Sequence, residues 1–207
     1  MLNAARHQFE AEDNSPPEET IAIMEMTMNN LHRQGDDIDL DDFLSRADVL
    51  EATGHTVMIS DFPEYHRLAT YLSRYTNRRI GITMGAHSLA EIFKDKYYES
   101  LDGGLLEGFG RLFKHNVKLY IYPFKNPDTN VLTKVDTLEV SSEQKRFYEY
   151  LIDQGFIEQI AEYNEEFLHI FSPDVLRKIT TGEHGWEQLV PNVVAEKIKY
   201  QKLFGHK

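Results

Sequence analysis

Cysteine is absent from this chain of 207 residues. Its absence excludes disulfide bonds, thiolate metal sites and cysteine nucleophiles, and it fits a reducing compartment. The N-terminus has neither the basic start nor the apolar h-region of a signal peptide. No apolar run approaches the ~20 residues that a membrane-spanning helix needs. We therefore expect a cytoplasmic protein without a membrane partner.

Basic residues are scarce in the first part of the chain. Residues 1–50 contain twelve acidic and three basic side chains, which give −9 of the total formal charge of −12. The remainder carries only −3 and has no strong basic stripe, which disfavours duplex nucleic acid as a main partner. We therefore expect no nucleic-acid partner. The acidic arm either keeps the protein soluble or contacts a basic partner.

Metal-binding motifs are also missing. None of the nine histidines lies in an HxH or HExxH arrangement. The alternating aspartates of 36–42 resemble a calcium loop, but Asp42 stands where such a loop needs glycine, and Asp48 where it needs glutamate. We predict no metal site, and the sequence identifies no cofactor.

The sequence does contain short apolar strands that alternate with helices. Strands are predicted at 55–60, 79–84 and 117–122, and this alternation is typical of parallel strands joined by crossovers. It predicts an α/β protein with a Rossmann-like three-layer core over residues 54–124. Around the core we expect a disordered tail (1–15), an acidic helical arm (16–53) and a mostly helical C-terminal extension (125–207) packed on the core.

The arm is predicted to be helical because apolar residues recur on one helical stripe. This stripe comprises Ile21, Met24, Met28 and Leu31. A methionine-rich stripe either packs on its own domain or docks a partner.

Ligands of open parallel sheets bind beyond the carboxyl ends of the strands, so the turns there are the candidate sites. Asp61 follows the first predicted strand, and His66 and Arg67 begin the next helix. Asp61 with His66 or His87 is a candidate acid–base pair. Asp61 is equally well explained as the cap of that helix.

The second candidate turn comprises Gly85, Ala86, His87 and Ser88. Gly85 allows a tight turn, and the N–H groups at the start of the next helix favour an anion, to which His87 and Ser88 can add hydrogen bonds. Ser88 and Glu91 also fit a capping box, so an ordinary capped turn is the alternative.

A predicted helix over 105–113 contains two glycines. Each costs ~1 kcal/mol against alanine, so Gly108 and Gly110 suggest close approach to another element or a ligand. Glu107 and Arg111 are four residues apart and pair along this helix, either on the surface or as ligand-binding groups.

Together these residues predict an enzyme or enzyme domain that binds a small anionic ligand, a nucleotide or sugar phosphate, at the carboxyl ends of the first two strands. The sequence indicates no reaction. The alternative is a non-catalytic oligomerisation or regulatory module. Its interface would use the methionine stripe with Tyr97 and Tyr98 to form a homo-oligomer.

One resemblance extends over residues 44–205. It is carried by residues 57–62, 65–68, 81–85, 97–98, 103–113, 186–187, 190–191 and 203–205. On these segments the chain resembles the C-terminal region of an uncharacterised family of larger bacterial proteins. The resemblance implies no established activity. The label of TonB-dependent receptor sometimes attached to such proteins does not fit this chain, in which neither a signal peptide nor a pattern of barrel strands is recognised.

Overall fold

The computed structural model describes residues 1–13, 16, 19–28 and 40–206. Within them the chain is a mixed α/β protein with parallel-strand sheets. The helices are α1 (Leu2–Asp13), α2 (Leu40–Glu51), α3 (Tyr65–Leu72), α4 (Ala86–Ile92), α5 (Gly104–Phe113), α6 (Lys145–Asp153), α7 (Ser172–Thr181) and α8 (Asn192–Gln201). The strands are β1 (Ile23–Thr27), β2 (Thr56–Ser60), β3 (Ile80–Gly85), β4 (Val117–Tyr122), β5 (Phe124–Lys125), β6 (Leu132–Thr133) and β7 (Ile157–Gln159). None of these helices is long and apolar enough to cross a membrane.

The chain divides into two compact units. Unit 1 contains Met1–Thr20 and Glu64–His169, and unit 2 contains Ile21–Pro63 and Ile170–Lys207. The predicted core and the predicted C-terminal extension therefore each contribute to both units.

Unit 1 is built on a parallel sheet with the strand order β3–β4–β7. The central strand β4 is largely buried, and both of its faces are covered by other elements. Its side chains Leu119 and Ile121 belong to a core that includes residues of α4, α5 and α6. Tyr120, which points to the opposite face, packs with Ala5 and Phe9 of α1.

Unit 2 contains a two-stranded parallel sheet of β1 and β2, in which Met24 pairs with Val57. One hydrophobic cluster of this unit takes its buried residues from α7, from α8 and from the turn that contains Trp186. A two-stranded sheet has too little surface to be stable alone, so the helices supply most of the packing of this unit.

Two predictions about the N-terminal region are wrong. Residues 2–13 form α1 rather than a disordered tail, because Ala5 and Phe9 are fixed against the sheet of unit 1. The predicted helical arm contains strand β1, because pairing with β2 satisfies its backbone. Residues 14, 15, 17, 18, 29–39 and 207 lie outside the described residues, and with them Leu31 of the predicted stripe and most of the aspartate run.

The three predicted strands are confirmed as β2, β3 and β4, but they do not share one sheet. β3 and β4 are parallel neighbours, whereas β2 pairs with β1 in unit 2. The first two predicted strands, β2 and β3, therefore lie in different sheets. The prediction of one ligand site at their carboxyl ends assumes that they share a sheet.

Candidate functional site

Asp61 belongs to a different unit from the other predicted site residues. It is exposed and follows β2 in unit 2, whereas His66 and His87 belong to unit 1. The prediction that Asp61 caps the next helix is wrong, because α3 begins at Tyr65 with Glu64 at its N-cap position.

The turn at Gly85 differs from its prediction in two ways. Gly85 has an extended backbone (φ −77°, ψ 160°), and no atom lies within 4 Å of the position of an added Cβ, so glycine is not required there. Helix α4 begins at Ala86, which places Ser88 inside its first turn, so the capping box of Ser88 and Glu91 is also wrong. Ala86 is buried in the core, and an N-terminal anion site on this seven-residue helix has no independent support.

His87 lies on the surface at the start of α4. Its ring packs against Phe124, with the ring centroids 4.3 Å apart. This contact gives His87 a structural role beside the short strand β5.

The packing of α3 on α5 brings four of the predicted residues together. We call this group, together with Glu64, the His66 cluster. It consists of Glu64, His66, Arg67, Glu107 and Arg111, whose four charged members all act electrostatically on the imidazole. Two ion pairs hold these side chains in place. Arg67 Nε lies 3.1 Å from Glu64 Oε2, and Arg111 Nη2 lies 2.5 Å from Glu107 Oε1.

His66 is the least accessible member of the cluster, with 4% of its surface exposed. Its Nε2 atom is buried and has no hydrogen-bond partner among the described residues. Its ring lies beside that of Tyr98, with a centroid separation of 6.3 Å. Burial lowers the pKa of His66 below its ordinary value, and Arg67 and Arg111 act in the same direction, although Glu64 opposes them. The imidazole is therefore neutral at pH 7, with one ring nitrogen available.

Glu107 has a structural task within the cluster. Its Oε2 accepts a hydrogen bond of 2.8 Å from the backbone N–H of Gly103, immediately before α5. This bond and the contact with Arg111 lower the pKa of Glu107, so the carboxylate stays ionised at the positive end of the helix dipole. Glu107 thus orients Arg111, which confirms the predicted pairing of these two residues.

The arginines retain capacity for a ligand. The side chains of Arg67 and Arg111 are 53% and 54% exposed, and the ion pairs described above use only part of the five N–H donors of each. A neutral imidazole between two partly free guanidinium groups can hydrogen-bond an anion and can exchange a proton with it.

Sequence reasoning misses two members of this neighbourhood, Glu64 and Tyr98. Glu64 is missed because a helix capped by Asp61 would begin about one turn before α3 does. Tyr98 is buried and donates a hydrogen bond of 2.7 Å to the carbonyl of Ile92. The sequence feature that could have indicated Tyr98 is Gly108. Because glycine has no side chain, the Tyr98 ring can pack directly against the helix at this position.

His66 should make unit 1 less stable in acid. Its pKa is lower in the folded than in the unfolded chain, so the unfolded state binds the proton more readily. The free energy of unfolding should therefore fall as the pH drops below about 6.5, by at most ~1.4 kcal/mol per pH unit from this group. Urea denaturation of the wild type and of His66→Gln between pH 5 and 7.5 measures the difference.

The control in that experiment is the exposed His169 of the same unit. The His169→Gln variant accounts for the loss of a histidine from the surface and should keep the slope of the wild type. An unchanged slope in His66→Gln would contradict the assignment of a buried, neutral imidazole.

Comparison of the chain with protein-family models, curated proteins and solved structures gives no match.

Proposed function

We propose that unit 1 is an enzyme or enzyme domain that binds a small anionic ligand, a nucleotide or sugar phosphate, at the His66 cluster. The observation that carries the proposal is the buried Nε2 of His66, which has no hydrogen-bond partner among the described residues. Leaving a buried polar atom unpaired costs ~1–3 kcal/mol. A ligand that donates to or accepts from Nε2 removes this cost when it binds.

The class of ligand follows from the charges around His66. Arg67 and Arg111 provide planar guanidinium groups, which bind phosphate and carboxylate oxygens through paired N–H donors. Glu64 and Glu107 keep the cluster near neutrality and hold the arginines in place. In the complex with this anion, His66 can exchange a proton with the ligand. These residues do not define a particular reaction.

We also propose a Rossmann-like three-layer arrangement for unit 1. What supports it is the alternation along β4, where Leu119 and Ile121 pack with helices on one face and Tyr120 packs with α1 on the other. In such an arrangement α3 and α5 run antiparallel to the strands, so their first turns lie toward the carboxyl end of the sheet. A cytoplasmic location and the resemblance to larger bacterial proteins remain predictions.

The proposal predicts that phosphorylated compounds stabilise the protein. Thermal unfolding is measured with inorganic phosphate, adenosine monophosphate and glucose 6-phosphate, with adenosine and glucose as uncharged controls. A ligand at a hundredfold excess over its Kd stabilises by about 2.7 kcal/mol. Arg67→Gln and Arg111→Gln should each weaken binding roughly tenfold or more.

Arg146→Gln is the matched control, because Arg146 is an exposed arginine on α6 of the same unit. Equal losses in all three variants would indicate non-specific charge attraction. The proposal is wrong if no phosphorylated compound raises the unfolding temperature above its uncharged control.

The alternative of a non-catalytic oligomerisation or regulatory module has lost one of the residues proposed for its interface. Tyr98 is buried inside unit 1, and the space left by Gly108 is filled by Tyr98 of the same chain. What still favours the alternative is the exposure of Ile21 and Ile23 beside and within β1. Light scattering of the wild type and of an Ile23→Thr variant tests it through the molecular mass.

A further inference from the structure

A cavity of about 430 Å³ opens in unit 2 where α7 ends. Its walls include Trp186, Glu183, Glu187, His184 and His206. These residues are distinct from the His66 cluster, and all belong to unit 2. Cavities of this size, with an aromatic wall and a few polar groups, are typical of small-molecule sites.

Two carboxylates line the cavity, and each has cationic partners: Arg177 and Lys178 for Glu183, and Lys199 for Glu187. A hydrogen bond from Arg177, with others, lowers the pKa of Glu183, and a hydrogen bond from Lys199 chiefly lowers the pKa of Glu187, so both side chains are ionised at neutral pH. The C-terminal end of α7, at Thr181, adds the negative end of a helix dipole. Glu187 and this helix end are therefore the groups at the cavity that attract a cation.

Lys199 shows how this wall holds an ammonium group. Its Nζ lies 2.9 Å from Glu187 Oε1 and 5.7 Å from the centre of the Trp186 ring. A carboxylate and an indole face that act on one cation combine an ion pair with a cation–π interaction. Trp186 itself is 3% exposed and packed into the core of unit 2, so its ring is a fixed element of the wall.

His206 provides an independent indication of a ligand. Its Nδ1 is buried and has no hydrogen-bond partner among the described residues, and its ring lies edge-on to Trp186 at 5.6 Å. Buried polar atoms in native proteins are almost always paired. The N–H group of an ammonium is a suitable partner for a neutral imidazole nitrogen.

We propose that this cavity binds a small organic cation, an ammonium group on a short apolar chain. The ammonium pairs with Glu187 and the Trp186 ring, in the manner of Lys199, and donates to His206. The apolar chain takes the remaining space.

Trp186 is the single tryptophan of the chain, so its fluorescence reports occupancy of the cavity directly. The probes are n-butylammonium chloride, n-butanol and sodium butyrate, which share a chain length and differ in charge. Titrations are made at constant ionic strength. We expect a saturable change in emission with n-butylammonium alone.

Two variants with opposite expected effects on the affinity for n-butylammonium test the roles of Glu187 and Lys199. Glu187→Gln should weaken binding of n-butylammonium roughly tenfold, because a charge-assisted hydrogen bond becomes a neutral one. Lys199→Met should tighten binding, because it removes the internal ammonium that competes for the same groups. Glu196→Gln, at an exposed position on α8, is the control and should leave the affinity unchanged.

Three outcomes would contradict the proposal. A response to n-butanol equal to that for n-butylammonium would overturn the cationic class of ligand. A linear, non-saturating response to all three probes would overturn the site, and so would a Lys199→Met variant that binds more weakly than the wild type. Since no phosphate and no residue of unit 1 takes part, these results are independent of the proposed function.

Discussion

Gly108→Ala should destabilise unit 1 by about 3 kcal/mol, at the upper end of the usual cost of overpacking a core. An added Cβ at Gly108 would lie well inside van der Waals distance of Tyr98 Cδ1 and Cε1. The Tyr98 ring cannot move away freely, because it is buried and its hydroxyl donates to the carbonyl of Ile92. The strain is therefore shared by α5, by the Tyr98 ring and by the adjacent His66.

Gly110→Ala is the matched control in the same helix and should stabilise the protein. Gly110 is exposed, and no atom lies within 4 Å of an added Cβ. Alanine in a helix interior is favoured over glycine by ~0.5–1 kcal/mol. Urea denaturation of both variants should thus give changes of opposite sign at positions two residues apart.

Changes of the same sign would contradict the packing around Tyr98. A double variant tests it further, because Tyr98→Leu removes the ring that meets the new Cβ. Gly108→Ala should cost much less in the Tyr98→Leu background than in the wild type, since contacting residues are energetically coupled.

The two glycines show what a sequence pattern can and cannot predict. Both stand out because glycine is unfavourable inside a helix, and close approach is confirmed at Gly108 but wrong at Gly110. Positions two apart are separated by about 200° around a helix, so the two cannot face the same neighbour. The tertiary packing of α5 decides which of the two glycines contacts Tyr98. The local sequence carries no information about this packing.

The strands show the same limit. The prediction of β4 at 117–122 is confirmed, because the segment is rich in β-branched and aromatic residues and has no competing helical pattern. Around β1, Ile21, Met24 and Met28 have helical spacing, while Met24 and Met26 have the spacing of a strand. Pairing with the distant strand β2, where Ile23 lies opposite Thr56, decides between the two.

The candidate site is predictable where its residues share one pair of packed helices. His66 and Arg67 are predicted to lie early in one helix, and in the structure His66 is buried one turn before the buried Ala69. The pairing of Glu107 with Arg111 was predictable because residues four apart are neighbours on the surface of a helix. The prediction that Asp61 caps α3 fails because the helix begins only at Tyr65, and the boundary between the units at Pro63 and Glu64 leaves no mark in composition.

Lys118→Met should loosen the attachment of α1 to the sheet of unit 1. Lys118 lies between two carboxylates: its Nζ is 2.6 Å from Glu12 Oε2 and also contacts Glu158. Tyr120 donates a further hydrogen bond of 2.8 Å to Glu12. Without the lysine, two partly buried carboxylates face each other without this cation. Breaking a buried pair costs about 3–5 kcal/mol, and partial exposure reduces the expected loss to ~2 kcal/mol.

This loss should depend on pH and should be concentrated in α1. Burial raises the pKa of Glu12, but hydrogen bonds from Lys118, Tyr120 and Gln8 outweigh it and leave the pKa below its ordinary value. The stabilisation is thus present above about pH 4.5 and is lost as the pH falls through the folded-state pKa. The difference in unfolding free energy between the wild type and Lys118→Met should therefore narrow in acid.

Hydrogen exchange locates the effect, since amides of α1 should lose protection before those of β4. Lys114→Met, at the exposed C-cap of α5, is the control and should change neither measurement. An equal loss of protection in α1 and β4 would mean that α1 is an inseparable part of unit 1. Selective loss in α1 would mean that the Glu12–Lys118 contact holds a separately detachable helix over the Tyr120 face of the sheet.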